Sequence, residues 1–154
     1  MADLTVNASK NFFGPWRELV YDVGANLEVF AGQFMVTGAG GIVNSTAAAG
    51  DGVGFALEHV NNLTGSPNGG AARAASARIA VEGTIELLVA NGAAFTHDDV
   101  GLPVYSIDGN SFTTTASANS KVGVILQCDA AVASGGNTET VIVHFNMALA
   151  HLLA

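Results

Sequence analysis

The stretch Arg78-Ile79-Ala80-Val81-Glu82-Gly83-Thr84-Ile85-Glu86-Leu87 decides the fold class. Ile79, Val81, Ile85 and Leu87 occupy odd positions, and Arg78, Glu82, Thr84 and Glu86 occupy even ones. Successive side chains of a strand point to opposite faces, so this period of two predicts a half-solvated β-strand with its odd residues turned inward.

The same pattern recurs on both sides of it. Downstream, Gly101–Ile107 and Ser111–Thr115 flank Asp108-Gly109-Asn110 and predict a hairpin, with Asp-Gly supplying the positive φ of a tight turn. Lys121–Leu126 and Thr140–Phe145 are apolar on both faces in places, separated by Ser134-Gly135-Gly136-Asn137, and read as core strands. Upstream, Leu27, Val29, Phe34 and Val36 alternate around Ala31-Gly32, as two short strands or one bent at glycine would. Ile42-Val43 and Val53–Leu57 are further strand material between glycine-rich turns. No long amphipathic helix intervenes. The expected fold is therefore all-β, a small antiparallel β-sandwich or barrel with an extended N-terminal arm and long surface loops. Its expected segments are an arm over 1–20, a β domain over 21–146 with a loop insert at 61–77, and an apolar tail over 147–154. The tail reads as a helical turn or two, or as an intersubunit contact.

Composition agrees with one folded domain. The chain has 154 residues, 49% of them hydrophobic and only 12% charged, enough apolar material for a core without staples. Five Lys and Arg against thirteen Asp and Glu give a net charge of −8, which repels phosphate backbones, so no nucleic-acid partner is expected. No apolar run is long enough to span a bilayer, so no membrane partner is expected. The N-terminus lacks the basic and apolar regions of a secretory signal, pointing to synthesis in a cytoplasm. Cys128 stands alone and reads as a buried thiol at a strand end.

Motifs for chemistry are sparse. Gly38–Val43 and Gly50–Phe55 each lack the third glycine of a dinucleotide loop and open no helix. His59, His97, His144 and His151 are dispersed, and only His97-Asp98-Asp99 groups ligand-type side chains, on a segment read as a solvated turn. His144 alternates with Val141, Val143 and Phe145, so it points outward. Glu82 and Glu86 share a strand face about 13 Å apart by the strand rise, beyond the roughly 5–9.5 Å of a glycosidase pair. No catalytic, cofactor-binding or metal-ligating residue is assigned, and no cofactor is expected. What stands out is the arm, where Asn11-Phe12-Phe13-Gly14-Pro15-Trp16 sets three aromatics beside a Gly-Pro breaker. Such a segment packs across its own sheet or anchors in a neighbouring subunit or partner.

The order of elements resembles the bacteriophage capsid decoration, or cement, proteins. The resemblance is carried by Gly52-Val53-Gly54-Phe55-Ala56, the strand Arg78–Leu87 and Gly101-Leu102-Pro103-Val104-Tyr105. It continues through Phe112-Thr113-Thr114-Thr115 leading into Val122-Gly123-Val124-Ile125-Leu126, and ends with Val141-Ile142-Val143-His144-Phe145. It covers about residues 24–146. It implies a non-enzymatic structural virion protein, a homotrimer at three-fold and quasi-three-fold positions on the outer surface of an expanded head, stabilising the shell against internal DNA pressure. The implied partners are the major capsid protein and further copies of the chain, with Phe12, Phe13, Trp16 and Arg17 of the arm as expected shell contacts. The 61–77 insert, the long aromatic arm and the apolar tail depart from the simplest members. The rival reading is another phage surface module, a tail or fibre component or a carbohydrate-binding β-domain, although Tyr21, Tyr105 and Trp16 make a sparse aromatic platform.

Overall fold

A computed structural model describes residues 7, 10–45, 51–88, 95, 97–117, 119–128 and 140–152. The chain is all-β and antiparallel, curled into a half-barrel. Its strands are β1 (Arg17–Asp22), β2 (Leu27–Val29), β3 (Phe34–Gly38), β4 (Gly41–Asn44), β5 (Gly52–Ala56), β6 (Val60–Asn62) and β7 (Ser76–Leu88). After a 3-10 turn at His97–Asp99 come β8 (Pro103–Asp108), β9 (Ser111–Thr113), β10 (Ser120–Cys128), β11 (Thr140–Asn146) and the helix α1 (Met147–Leu152). Strand β1 crosses the arm boundary expected at residue 20, and β6 and β7 take both ends of the expected insert. The turn material at Ala47–Gly50, Asn91-Gly92 and Ser134–Asn137 lies outside the described residues.

Everything is built on β7. At Ile79 and Ala80 it pairs with β1 and with β5, so those two strands lie on opposite edges. At Glu82 it pairs with Arg17 of β1 and with Asn146 of β11, so β11 lies opposite β1 and on the same edge as β5. The sheet therefore forks along one edge of β7. One branch runs β5-β3-β4 and the other β11-β10-β8-β9. The branches curl towards each other, and the Phe34 N–H at the start of β3 donates to the Gly109 carbonyl in the β8–β9 turn at 2.8 Å.

Two cores result. Inside the curl, Phe34, Phe55, Phe112 and Phe145 interlock with Ile85, Leu87, Val104, Ile125 and Val143; fully burying each such side chain is worth about 1.5–3 kcal/mol. On the outer face of the β3-β5-β7 region, Val23, Val29, Met35, Ile42, Val53, Ala77 and Ile79 form a second cluster. It is covered by the β2–β6 ribbon, whose register sets Val29 opposite Val60.

The two cores correct the reading of the decisive strand. Ile79 and Val81 belong to the outer cluster, whereas Ile85 and Leu87 belong to the inner one. The switch is a β-bulge: Arg17 opposes Glu82 and Glu18 opposes Ala80, leaving Val81 unpaired on that edge. One extra residue exchanges the faces beyond it. Gly54 does the same in β5 at φ +138°, so Val53 joins the outer cluster and Phe55 the inner.

The Asp108–Asn110 hairpin forms, but Gly109 does not take the expected positive φ. The turn is tied instead by side chains: the Asn110 N–H donates to Asp108 Oδ1 at 2.8 Å and Ser106 Oγ donates to the Asp108 carbonyl at 2.6 Å, beside a bulge at Ile107. Between β6 and β7 the polar stretch is a surface loop with a buried base. Asn62, fully buried, donates from Nδ2 to the Gly24 and Ala71 carbonyls, each at 2.9 Å. The tail beyond β11 begins as α1, whose Met147 packs on the inner core while Leu149 and Leu152 face solvent. Among the described residues no helix is long and apolar enough to cross a membrane.

Candidate interaction surface

The arm lies along β7 and continues the edge that β1 occupies. Glu86 N–H donates to the Asn11 carbonyl and Phe13 N–H to the Thr84 carbonyl, both at 2.9 Å, with Phe12 bridged to Ile85. Pro15 has no N–H to offer a ladder, and Gly14 turns at φ +83°, so the chain lifts off β7 before rejoining it at Arg17. A Cβ at Gly83 would come within 3.1 Å of Trp16 Cβ. The missing side chain at Gly83 is what lets Trp16 lie close over β7.

The four expected contact residues separate here. Phe12 turns inward, against Trp16 (centroids 5.0 Å) and Phe145 (6.4 Å), and joins the inner core. Phe13 and Trp16 stay 47% exposed. Arg17 reaches Glu82 at 3.7 Å from a side chain that is 81% exposed, a geometry worth little to stability. Phe12 is thus a structural tie, and Phe13, Trp16 and Arg17 are the accessible part of the arm.

Trp16 walls two shallow clefts. One, of about 440 Å³, is lined by Phe13, Pro15, Arg17, Glu82, Thr84 and His144 besides Trp16 and Gly83. The other, of about 250 Å³, holds Lys10, Glu18 and Arg78 against Phe12 and Phe55. In the second, burial pulls the Lys10 pKa below its ordinary 10.5, since a partly desolvated ammonium is disfavoured. Its Nζ donates to Asn110 Oδ1 at 2.9 Å.

The first cleft borders a row of mixed character on the outer face. Thr84, His144 and Val124 are register partners across β7, β11 and β10, so they form a row on the outer face. His144 points outward, as its alternation predicts, with Nδ1 3.3 Å from Thr84 Oγ1. Val124 is 40% exposed and Leu126, the bulged residue of β10, 51% exposed. Expecting β10 to be core on both sides is therefore corrected: Val122 and Ile125 face the inner core, whereas Val124 and Leu126 face outward. Their sequence signal was the two-faced apolar pattern itself, which marks a second covered face whether the cover is the same chain or another.

Other sequence candidates do not gather. Cys128 is buried at the end of β10. His59 pairs with Glu28 at 2.8 Å and stacks on Phe30, away from that row. His97-Asp98-Asp99 forms the 3-10 turn, and the side chains of His97 and His151 lie outside the described residues. Among the described residues no three His, Cys, Asp or Glu side chains are grouped to hold a metal. No protein-family model, curated protein or solved structure matches this chain.

Proposed function

We propose that this chain is a structural coat protein, a decoration protein that binds the outside of an expanded phage head as a homotrimer and stabilises the shell. The observation that carries the reading is the exposure of Phe13, Trp16, Val124 and Leu126, each at least 40%, flanking Thr84 and His144 on a protein with few charges. Half-exposed aromatic and aliphatic side chains are what a partner surface covers, and aromatics supply much of the energy when it does. Arg17 and the neighbouring Glu82 would give such a contact a polar rim, and many modest contacts repeated over a shell add by avidity. The net charge of −8 keeps unassembled copies soluble.

The test is co-sedimentation with undecorated heads, expanded and unexpanded, alongside light scattering of the protein alone. Saturable binding to expanded heads by a trimer supports the proposal, and absence of binding to either form overturns it. Point variants at Phe13 and Trp16 are the right probes of the arm, because removing the arm whole would also strip Phe12 from the core. A carbohydrate-binding surface module is the second reading, favoured by the cleft where Trp16 meets Thr84 and His144; binding on a glycan array without head binding would select it.

A further inference from the structure

We propose that Lys10 and Asn110 form an intramolecular isopeptide bond, a covalent clasp between the N-terminal segment and the β8–β9 turn. The two residues are 100 positions apart in sequence, yet Lys10 Nζ touches the carboxamide oxygen of Asn110 at 2.9 Å. An amine attacks an amide when it is unprotonated, close by and partly shielded from water, and the contact between Lys10 and Asn110 supplies the closeness. Burial shifts Lys10 towards its neutral form, the state in which desolvated lysines act as nucleophiles. Phe12, Trp16 and Phe55 line one side of the cleft that holds Lys10, with Glu18 and Arg78 also on its wall, so the amine is partly rather than fully removed from water. Asn110 is fixed in its turn by its own N–H bonded to Asp108 Oδ1, and the turn is fixed to β3 by the Phe34–Gly109 hydrogen bond. The hydrogen bond holds Nζ beside the carboxamide whose Cγ it would attack, and such proximity lowers the entropic barrier to reaction.

The step balances without a co-reactant. Neutral Lys10 Nζ adds to Asn110 Cγ, the Cγ–Nδ2 bond breaks, one Nζ proton passes to the departing nitrogen, and ammonia leaves. The product is a secondary amide. It would tie the arm to the far branch of the forked sheet, adding a covalent bond to the aromatic packing and hydrogen bonds that already cross the curl.

Intact-mass spectrometry of the purified full chain, followed by tryptic peptide mapping, tests this. The expected result is a mass lower than the sequence mass by one ammonia and a branched peptide joining Lys10 to Asn110. Lys10→Arg and Asn110→Ala should each restore the mass computed from their sequences. A wild-type mass equal to the sequence mass after prolonged incubation at neutral pH overturns the proposal, whatever the variants do. Loss of ammonia that peptide mapping places at Asn110 in Lys10→Arg also overturns it, because Asn110 would then have cyclised on its own backbone.

Discussion

Phe55 and Phe145 meet edge to face, ring centroids 5.2 Å apart at 70°, across the fork where β5 and β11 part along one edge of β7. No ladder joins those two strands there, so aromatic packing fills the fork in place of hydrogen bonds. Phe145→Ala should cost about 3–5 kcal/mol, in the range of a fully buried phenylalanine. Phe145→Leu, which keeps most of the volume, should cost less than about 2 kcal/mol. Denaturant unfolding checks both, and equal midpoints for the two variants would contradict the assignment.

Arm residues should split into two classes. Phe12→Ala should lower stability by about 3 kcal/mol, because it removes a core contact to Phe145. Phe13→Ala should change stability by no more than about 0.5 kcal/mol, as exposed substitutions do, while weakening head binding. Trp16→Ala should weaken binding similarly and cost slightly more stability, since its ring rests on Phe12. Thermal melts set beside head-pelleting curves separate the two readouts.

Gly54 cannot carry a side chain. At φ +138° its added Cβ would overlap the Ala80 carbonyl oxygen on β7. Gly65 also has a positive φ, +89°, but nothing lies within 4 Å of its added Cβ. Gly65→Ala should cost only the left-handed backbone penalty, about 1–2 kcal/mol. Gly54→Ala adds a backbone clash, and its loss should exceed that of Gly65→Ala by at least about 2 kcal/mol. Melting temperatures of the pair give the comparison directly.

An un-crosslinked Lys10 should make stability depend on alkaline pH. Burial lowers its folded-state pKa below 10.5, so between the folded value and 10.5 the unfolded chain binds more protons than the folded one. Unfolding free energy then rises with pH across that window, by at most about 1.4 kcal/mol per pH unit for one proton, and the destabilisation is largest below it. The Asn110→Ala chain is the one in which to measure it, and adding Lys10→Met should flatten the rise.

Alternation made most strands legible. Val141, Val143 and Phe145 against an outward His144 is a local property of the chain, and it survives folding. The faces of β7 were not legible, because the bulge at Val81 arises from where β1 happens to pair, a contact between residues some sixty positions apart. For the same reason Phe12 looked no different from Phe13. Which of two adjacent aromatics turns inward depends on how the arm meets Ile85. Asn62 sat in a polar stretch that reads as pure loop, since nothing local announces that two distant carbonyls converge on one amide. Val124 and Leu126 were visible as apolar, but composition does not say which side of a sheet is left bare.

The forked edge of β7 also sets the order in which the molecule can be made. One tine, β5, precedes β7 in the chain, whereas the other, β11, begins at Thr140, well after β7 has ended at Leu88. During synthesis β7 leaves the ribosome with β1 and β5 already available, but the far half of its edge must wait until β11 has been made. Ile85 and Leu87 stay uncovered for that interval, with their hydrogen-bonding edge open to any other nascent strand. Because these pairings link distant parts of the chain, closure should be slow for a domain of this size. The interval between emergence of β7 and arrival of β11 is when a chaperone, or a wrong partner, has its best access.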